Sequence, residues 1–404
     1  MHLAETPEQQ ALRKELREYF AALLTPEVRA ELGAGGEGSD LFRTIVRRMG
    51  ADGWLGLGWP TEYGGQGRPA TDQFILFDEV QRAHAPFPFV TVNTVGPALM
   101  AHGTEEQKAA YLPGILNGEI NFAIGYTEPE AGTDLASLRT SAVLDGEEWV
   151  INGNKVYTSG ANQADFVWLA CRTDVDAPKH QGISIIIVPT DAPGFSWTPI
   201  VTVGDVMTTA TYYSDVRVPA ANVVGEVNAG WKLITMQLNH ERVGLAALSG
   251  LTERLVDDVT DWARVTPVGG AVAAGTGPGG AGAGCVIDLP WVQMDLARCR
   301  ALLDATRLMT WKLVRAVSDN TLGPAEASAV KVFGTESAVE VYRLLQGILG
   351  ASAHLRDGSP GALLHGEVER AARAAQINTF GGGVNEIQRQ LVATAGLGLA
   401  RDRR

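Results

Sequence analysis

One carboxylate stands out of place in "QLNHERVGLAAL", the stretch that begins at Gln237. Trp231, Ile234, Leu238, Glu241, Leu245 and Leu248 follow the spacing of one helix face, and all but Glu241 are apolar. Apolar surroundings disfavour the ionised form of a carboxylate, which raises its pKa and makes it a stronger base. Such a base suits removal of a proton from a weakly acidic carbon. The same pattern also fits a structural glutamate paired with an arginine or lysine elsewhere in the fold, and helical spacing leaves both readings open.

A second stretch with chemical content is "FAIGYTEPEAGTDLASLRT", residues 122–140. It reads as a strand end followed by a polar turn. Thr127, Thr133 and the amides around Gly132 gather donors in one short loop, a nest suited to an anionic or carbonyl-rich ligand. An ordinary surface loop fits the same residues. No GK[ST] follows a glycine-rich run, no GxGxxG follows a strand, and neither HExxH nor GxSxG occurs. The sequence therefore gives no support to phosphate-loop, dinucleotide, zinc-hydrolase or serine-hydrolase chemistry, and no metal site is expected.

The elements that would position these residues fall into three blocks. Residues 1–120 carry helical periodicity, beginning with Thr6 as N-cap, Pro7 in the first turn and Gln9 closing a capping box. Residues 121–227 hold short runs rich in Val, Ile, Tyr and Trp, which predict a small antiparallel β-barrel, with a hairpin turn expected at Asn152-Gly153. Residues 228–404 return to long helical segments and predict a helical bundle. Within them "VGGAVAAGTGPGGAGAG", residues 268–284, reads as a flexible interhelical loop.

The chain of 404 residues is 45% hydrophobic, enough for a large core, and its net charge is −13. That charge disfavours nucleic acid and anionic membrane as partners. Cys171, Cys285 and Cys299 match no metal or redox spacing, the first twenty residues contain no apolar signal region, and no apolar run is long enough to span a bilayer. A cytoplasmic location is expected.

Taken together, several blocks resemble the acyl-CoA dehydrogenases, flavoenzymes that introduce a double bond beside a CoA thioester. "YGGQG", "HGTEEQKAAYLPGI", "GYTEPEAGTD", "INGNKVYTSGA", "YYSDVRVP", "NAGWKLI" and "EIQR" recur in family order along nearly the whole chain. The resemblance implies an N-terminal α-helical domain, a middle β-barrel and a C-terminal four-helix bundle. It also implies FAD, an acyl-CoA substrate, and hydride transfer to the flavin coupled to loss of the α-proton. An electron-transfer flavoprotein is the implied electron acceptor. Carried over by position, Gly125, Tyr126, Thr127, Gly132, Thr133, Tyr157 and Ser159 match flavin-contacting residues, as do Gly383, Asn385 and Glu386 near the C-terminus.

Three departures refine the resemblance. The common family base lies in a C-terminal motif like "YEGT", where this chain reads "FGGGVNE" with Gly382 at the carboxylate position. A branch resembling the isovaleryl-CoA type carries its base on the first helix of the C-terminal domain, and there Glu241 aligns with it. Asn239 and Arg242, like Gly382, match substrate-contacting positions. The family's "R..FG" motif, which completes a neighbour's FAD site, is missing from "DWARVTPVGGAVAAG". Its "QxxGGxG" turn is altered in "LLQGILGASAH", where Gln346 is out of register and Ala351 replaces a glycine. This pattern is similar to the base-bearing subunit of the α2β2 acyl-CoA dehydrogenases of actinobacterial sterol side-chain breakdown, implying a paralogous partner subunit and a bulky or steroid side-chain thioester. A self-sufficient homotetramer of the isovaleryl type and a non-catalytic flavin-fold binding protein are the alternatives.

Overall fold

The first helix begins where the sequence places it. Thr6 caps α1 (Pro7–Leu23), and Gln9 closes the capping box. The computed structural model describes residues 5–35, 39–245, 249–269, 284–319 and 321–400; the side chains of residues 33–35 and 238–245 lie outside that description. After α1 come α2 (Pro26–Gly35), α3 (Asp40–Ala51), α4 (Ala70–Ala83), α5 (Gly96–His102) and α6 (Glu105–Leu116), with a π-helical turn, Thr91–Val95, leading into α5. Buried Arg13 ties the N-terminal helices together: it reaches Glu5 at 2.5 Å, and Asp78 and Glu79 of α4 at 2.6 and 2.5 Å.

Strands follow: β1 (Phe122–Gly125), β2 (Ser141–Asp145), β3 (Glu148–Lys155), β4 (Phe166–Arg172), β5 (Ile183–Pro189), β6 (Phe195–Val201), β7 (Met207–Pro219) and β8 (Val223–Val224). They form one eight-stranded sheet in the order β6-β7-β3-β2-β4-β5-β8, with β1 beside β4. The sheet is mostly antiparallel, as expected, but β1–β4 and β2–β4 are parallel. The long connection from β1 to β4 supplies the length a parallel crossover needs. Among the described residues no ladder joins β6 to β8. The continuous apolar runs of β4 and β5 are buried on both faces. Trp168, Ala170, Ile185 and Ile187 pack with the N-terminal helices, while Val167, Leu169, Cys171, Ile186 and Val188 pack with Trp149, Tyr213 and Val216.

The hairpin turn is not at Asn152-Gly153. Asp145 pairs with Glu148, so the turn falls at Gly146, which has φ 65°. Gly153 lies inside β3 at a register shift. A Cβ there would sit 2.6 Å from Thr140 Oγ1 and 2.7 Å from its Cα, so the glycine serves close approach rather than a reversal.

Helix resumes with α7 (Gly230–Leu245), α8 (Ser249–Val265), α9 (Pro290–Ser318) and α10 (Pro324–Leu349), followed by short α11 (Glu367–Ala374) and α12 (Asn385–Leu391). Leu255, Val259, Cys299, Leu303, Val341 and Leu345 form the core between α8, α9 and α10. Helix α8 approaches α4 at Gly250, where a Cβ would lie 2.1 Å from the Asp78 carbonyl oxygen. Residues 270–283 of the segment read as a flexible loop are outside the described residues. No helix among the described residues is long and apolar enough to cross a membrane.

Candidate active site

Two loops meet at one end of the sheet. The first leaves β1 at Tyr126, which is buried. The Tyr126 hydroxyl donates to Oε1 of Gln237 on α7, and the indole N–H of Trp168 on β4 donates to the Tyr126 hydroxyl at 3.1 Å and to Gln237 Oε1 at 3.3 Å. The loop start is thereby fastened to α7. Farther on, Glu128 and Ala131 exchange backbone hydrogen bonds of 3.2 and 3.1 Å. Gly132 and Thr133 are exposed beyond that closed turn. The Gly132 position is open, since a Cβ there would meet only Thr127 Cγ2, at 4.0 Å. The amides of Thr127, Gly132 and Thr133 have no hydrogen-bond partner among the described residues.

The second loop follows β3. Val156 N–H donates to the Thr127 carbonyl at 2.9 Å and joins the two loops directly. Tyr157 is exposed and has φ 60°, a left-handed conformation unfavourable for an aromatic residue. Threonines of β7 hold the backbone there. Thr158 N–H donates to the Thr209 carbonyl at 2.9 Å, Thr209 Oγ1 returns a bond to the Thr158 carbonyl at 2.6 Å, and Ser159 Oγ lies 2.9 Å from Thr208 Oγ1. Gly125 has a different explanation. Within β1, a Cβ there would stand 2.9 Å from both Leu169 and Val167, so packing against β4 accounts for the glycine.

The C-terminal stretch is anchored elsewhere. Gly382 and Gly383 have φ 64° and 103°. Buried Lys331 of α10 donates to the Gly383 carbonyl at 2.6 Å and to Asn385 Oδ1 at 2.7 Å. The Asn385 amide donates to Thr335 Oγ1 at 3.1 Å and Glu336 Oε1 at 3.0 Å, so its side chain is engaged within the fold. Glu386 is exposed in the first turn of α12. Hydrogen bonds among the described residues join the first two stretches to each other and to α7, whereas those of the glycine turn run to α10.

Positions 239, 241 and 242 lie on the backbone of α7, but the side chains of Asn239, Glu241 and Arg242 are outside the described residues. Position 241 is one helical turn beyond Gln237. Helix α7 packs against the π-turn Thr91–Val95. Gln237 Nε2, Thr94 Oγ1 and Asn93 Nδ2 on these two elements are buried without a hydrogen-bond partner among the described residues, a condition that favours a polar ligand or a bound water. Among the described residues no cluster of His, Cys, Asp and Glu is arranged to hold a metal.

The sequence matches the family models described as acyl-CoA dehydrogenase N-terminal domain over residues 6–119, middle domain over 123–216 and C-terminal domain over 280–397. The chain belongs to the acyl-CoA dehydrogenase family. Members are oxidoreductases acting on CH–CH bonds and in general depend on FAD. Acyl-CoA dehydrogenase FadE26 of Mycobacterium tuberculosis is 52% identical over 417 residues, covering 100% of both chains. Among solved structures, the Tcur3481-Tcur3483 steroid ACAD is 59% identical with a TM-score of 0.92 and 100% coverage of both chains. The ChsE4-ChsE5 complex from Mycobacterium tuberculosis is 53% identical with a TM-score of 0.91, covering 99% of this chain and 100% of that one. Helices α7 and α8 lie between the second and third family-model matches.

Gln237, Lys155 and Lys331 were not singled out by the sequence reading, although each left a signal. Gln237 sits three residues after Ile234 and four before Glu241, on the same stripe. Lys155 falls in the two-residue phase of inward-facing Trp149 and Ile151. Ser328, Lys331 and Thr335 make a polar, buried line along α10.

Proposed function

We propose that this chain catalyses FAD-dependent α,β-dehydrogenation of a bulky acyl-CoA, a steroid side-chain thioester being the favoured class, with Glu241 as the α-proton base. The observation that carries the reading is the fastening of Tyr126, at the start of the donor-rich loop, to Gln237, one helical turn before position 241. The proposed flavin loop and the proposed base-bearing helix are thus one connected assembly. Gly382, which occupies the common base position, has no proton-accepting side chain.

The residues present fit a flavin. The amides of Thr127, Gly132 and Thr133, which have no partner among the described residues, supply donors for its carbonyl and phosphate oxygens, and the open Gly132 position admits close approach. Bound FAD supplies the acceptor for the hydride leaving the β-carbon. Glu241 takes the α-proton, and the apolar residues of its helix stripe favour its neutral, protonated form after transfer. Asn239 and Arg242 orient the thioester. The glycines at 381–383 leave room beside the reacting carbons, which supports a ring-bearing or branched acyl group. Likeness to a steroid ACAD supports the same class.

The altered "R..FG" and "QGILGAS" stretches support a paralogous subunit completing the FAD site in an α2β2 assembly, with an electron-transfer flavoprotein as acceptor. Likeness to a subunit of the ChsE4-ChsE5 complex supports the partner. The test is expression with and without a paralogous acyl-CoA dehydrogenase subunit from the same source. One FAD per heterodimer, reduced by a steroid side-chain CoA thioester, is expected. A fully flavinated, active homotetramer from this chain alone would overturn the assembly.

A further inference from the structure

Lys155 ends β3 beneath the proposed flavin loop and is 0% exposed. Its ammonium donates to the Tyr126 carbonyl at 3.1 Å and to Glu128 Oε1 at 2.8 Å. Glu128 is anchored in turn, accepting Arg139 N–H at 2.7 Å and Thr140 N–H at 2.8 Å. A lysine without exposure is unfavourable unless its charge and all its donors are used. Here one bond neutralises the charge at Glu128 and the other goes to the carbonyl at the start of the loop.

The 126–127 peptide is trans, so its C=O and N–H point in opposite directions. The carbonyl points down to Lys155, and the Thr127 amide therefore points away from the sheet interior. That amide has no partner among the described residues, while the Thr127 carbonyl is already taken by Val156. We infer that Lys155, seated by Glu128, is a positioning residue: it fixes the 126–127 peptide so that the Thr127 amide is presented as a preset donor to an acceptor atom of the flavin ring. The inference rests on residues 126–133 being the flavin loop.

The pair also sets the charge beneath the loop. Ammonium and carboxylate cancel. Lys155→Met leaves a bare carboxylate under the loop, which disfavours the electron-rich reduced flavin and lowers its reduction potential. Glu128→Gln leaves no negative charge, so the potential does not fall. A purely structural pair would lower thermal stability in both variants without this asymmetry.

The experiment uses the holo-complex with its partner subunit. FAD is removed and rebound to wild type, Lys155→Met, Glu128→Gln and the double variant, with the dissociation constant, reduction potential and melting temperature read for each. Lys155→Met should weaken FAD binding by about tenfold or more, the scale of one lost charge-assisted hydrogen bond, and should lower the potential. The double variant should recover the potential but not the affinity, because the Lys155 bond to the Tyr126 carbonyl is then lost. If Lys155→Met does not fold, Lys155→Arg keeps the cation and should retain the wild-type potential with an affinity between the two. Wild-type affinity and potential in Lys155→Met would overturn the inference, as would a lowered potential in Lys155→Arg. A wild-type complex that binds no FAD would instead overturn the reading of the loop.

Discussion

Two buried lysines hold two loops in this molecule, and they do so with different partners. Lys155 donates to the Tyr126 carbonyl and to a carboxylate, Glu128, so its charge is cancelled on the spot. Lys331 donates to the Gly383 carbonyl and to an amide oxygen, that of Asn385. The carboxylate Glu336 lies one hydrogen bond farther along, bonded to the Asn385 amide and paired with Arg389 at 2.6 Å. In the first loop the Tyr126 carbonyl and the charge are fixed from below, while the amides of Thr127, Gly132 and Thr133 have no partner among the described residues. The second is a glycine turn with two residues at positive φ, held from α10 by Lys331 at the Gly383 carbonyl and at Asn385. On the proposed function, the first loop is the floor that holds the cofactor and the second the wall beside the acyl group.

Breaking the first clamp should have the largest effect. Burial pushes the Glu128 carboxyl up, but Lys155 and the amide of Thr140 outweigh it and hold it below the ordinary carboxylate range. Glu128 therefore contributes stability above about pH 4.3, its unfolded value, and loses it as pH falls through the lower folded value. Glu128→Gln should cost on the order of 3 kcal/mol, the usual scale for stranding one member of a buried pair. It should also change the pH dependence. Burial already depresses Lys155, and without its counter-charge the unfolded chain binds the extra proton. Stability of the variant should then rise with pH between the depressed folded value and about pH 10.4. Denaturant titrations at acid, neutral and alkaline pH read both slopes.

The second clamp should fail differently. Lys331→Met should lower kcat/KM on a bulky thioester by roughly 10- to 100-fold through misplacement of the glycine turn, with FAD content unchanged. Equal loss of FAD would erase the distinction between floor and wall. Within the turn, Gly382→Ala should cost about 1 kcal/mol for placing a side chain at positive φ. Competition between straight-chain and ring-bearing thioesters should show the larger substrate losing more. The smallest effect is expected at Tyr126→Phe. Removal of its bond to Gln237 should cost about 1 kcal/mol, and a double-mutant cycle with Gln237→Leu should show the two losses to be shared.

The helix, sheet and helix order was legible because hydrophobic period changes twice along the chain, and Thr6 and Gln9 mark the first helix start unambiguously. The Asn152-Gly153 turn was misplaced because the dipeptide signals positive φ, and Gly153 has positive φ for another reason: Thr140 crosses too close for a side chain. The parallel neighbours of β4 were not legible, since strand order depends on contacts between segments rather than on any one of them. In the site, Thr127, Gly132 and Thr133 were visible as donors. The residues that hold them were not, because a buried lysine resembles a surface lysine until its inward phase is traced. Asn385 was read as a cofactor contact, and the bonds its side chain makes to Lys331, Thr335 and Glu336 were not legible, because they join segments about fifty residues apart.

The central claim is that α7, fastened to the flavin loop through Gln237 and Tyr126, carries the base at Glu241. The most direct measurement is anaerobic flavin reduction in the Glu241→Gln complex, mixed with a steroid side-chain CoA thioester in a stopped-flow cell. The account predicts normal FAD content and substrate binding, with flavin bleaching slowed by on the order of 100- to 10,000-fold. Bleaching at the wild-type rate would show that the proton leaves to another group and would contradict the assignment.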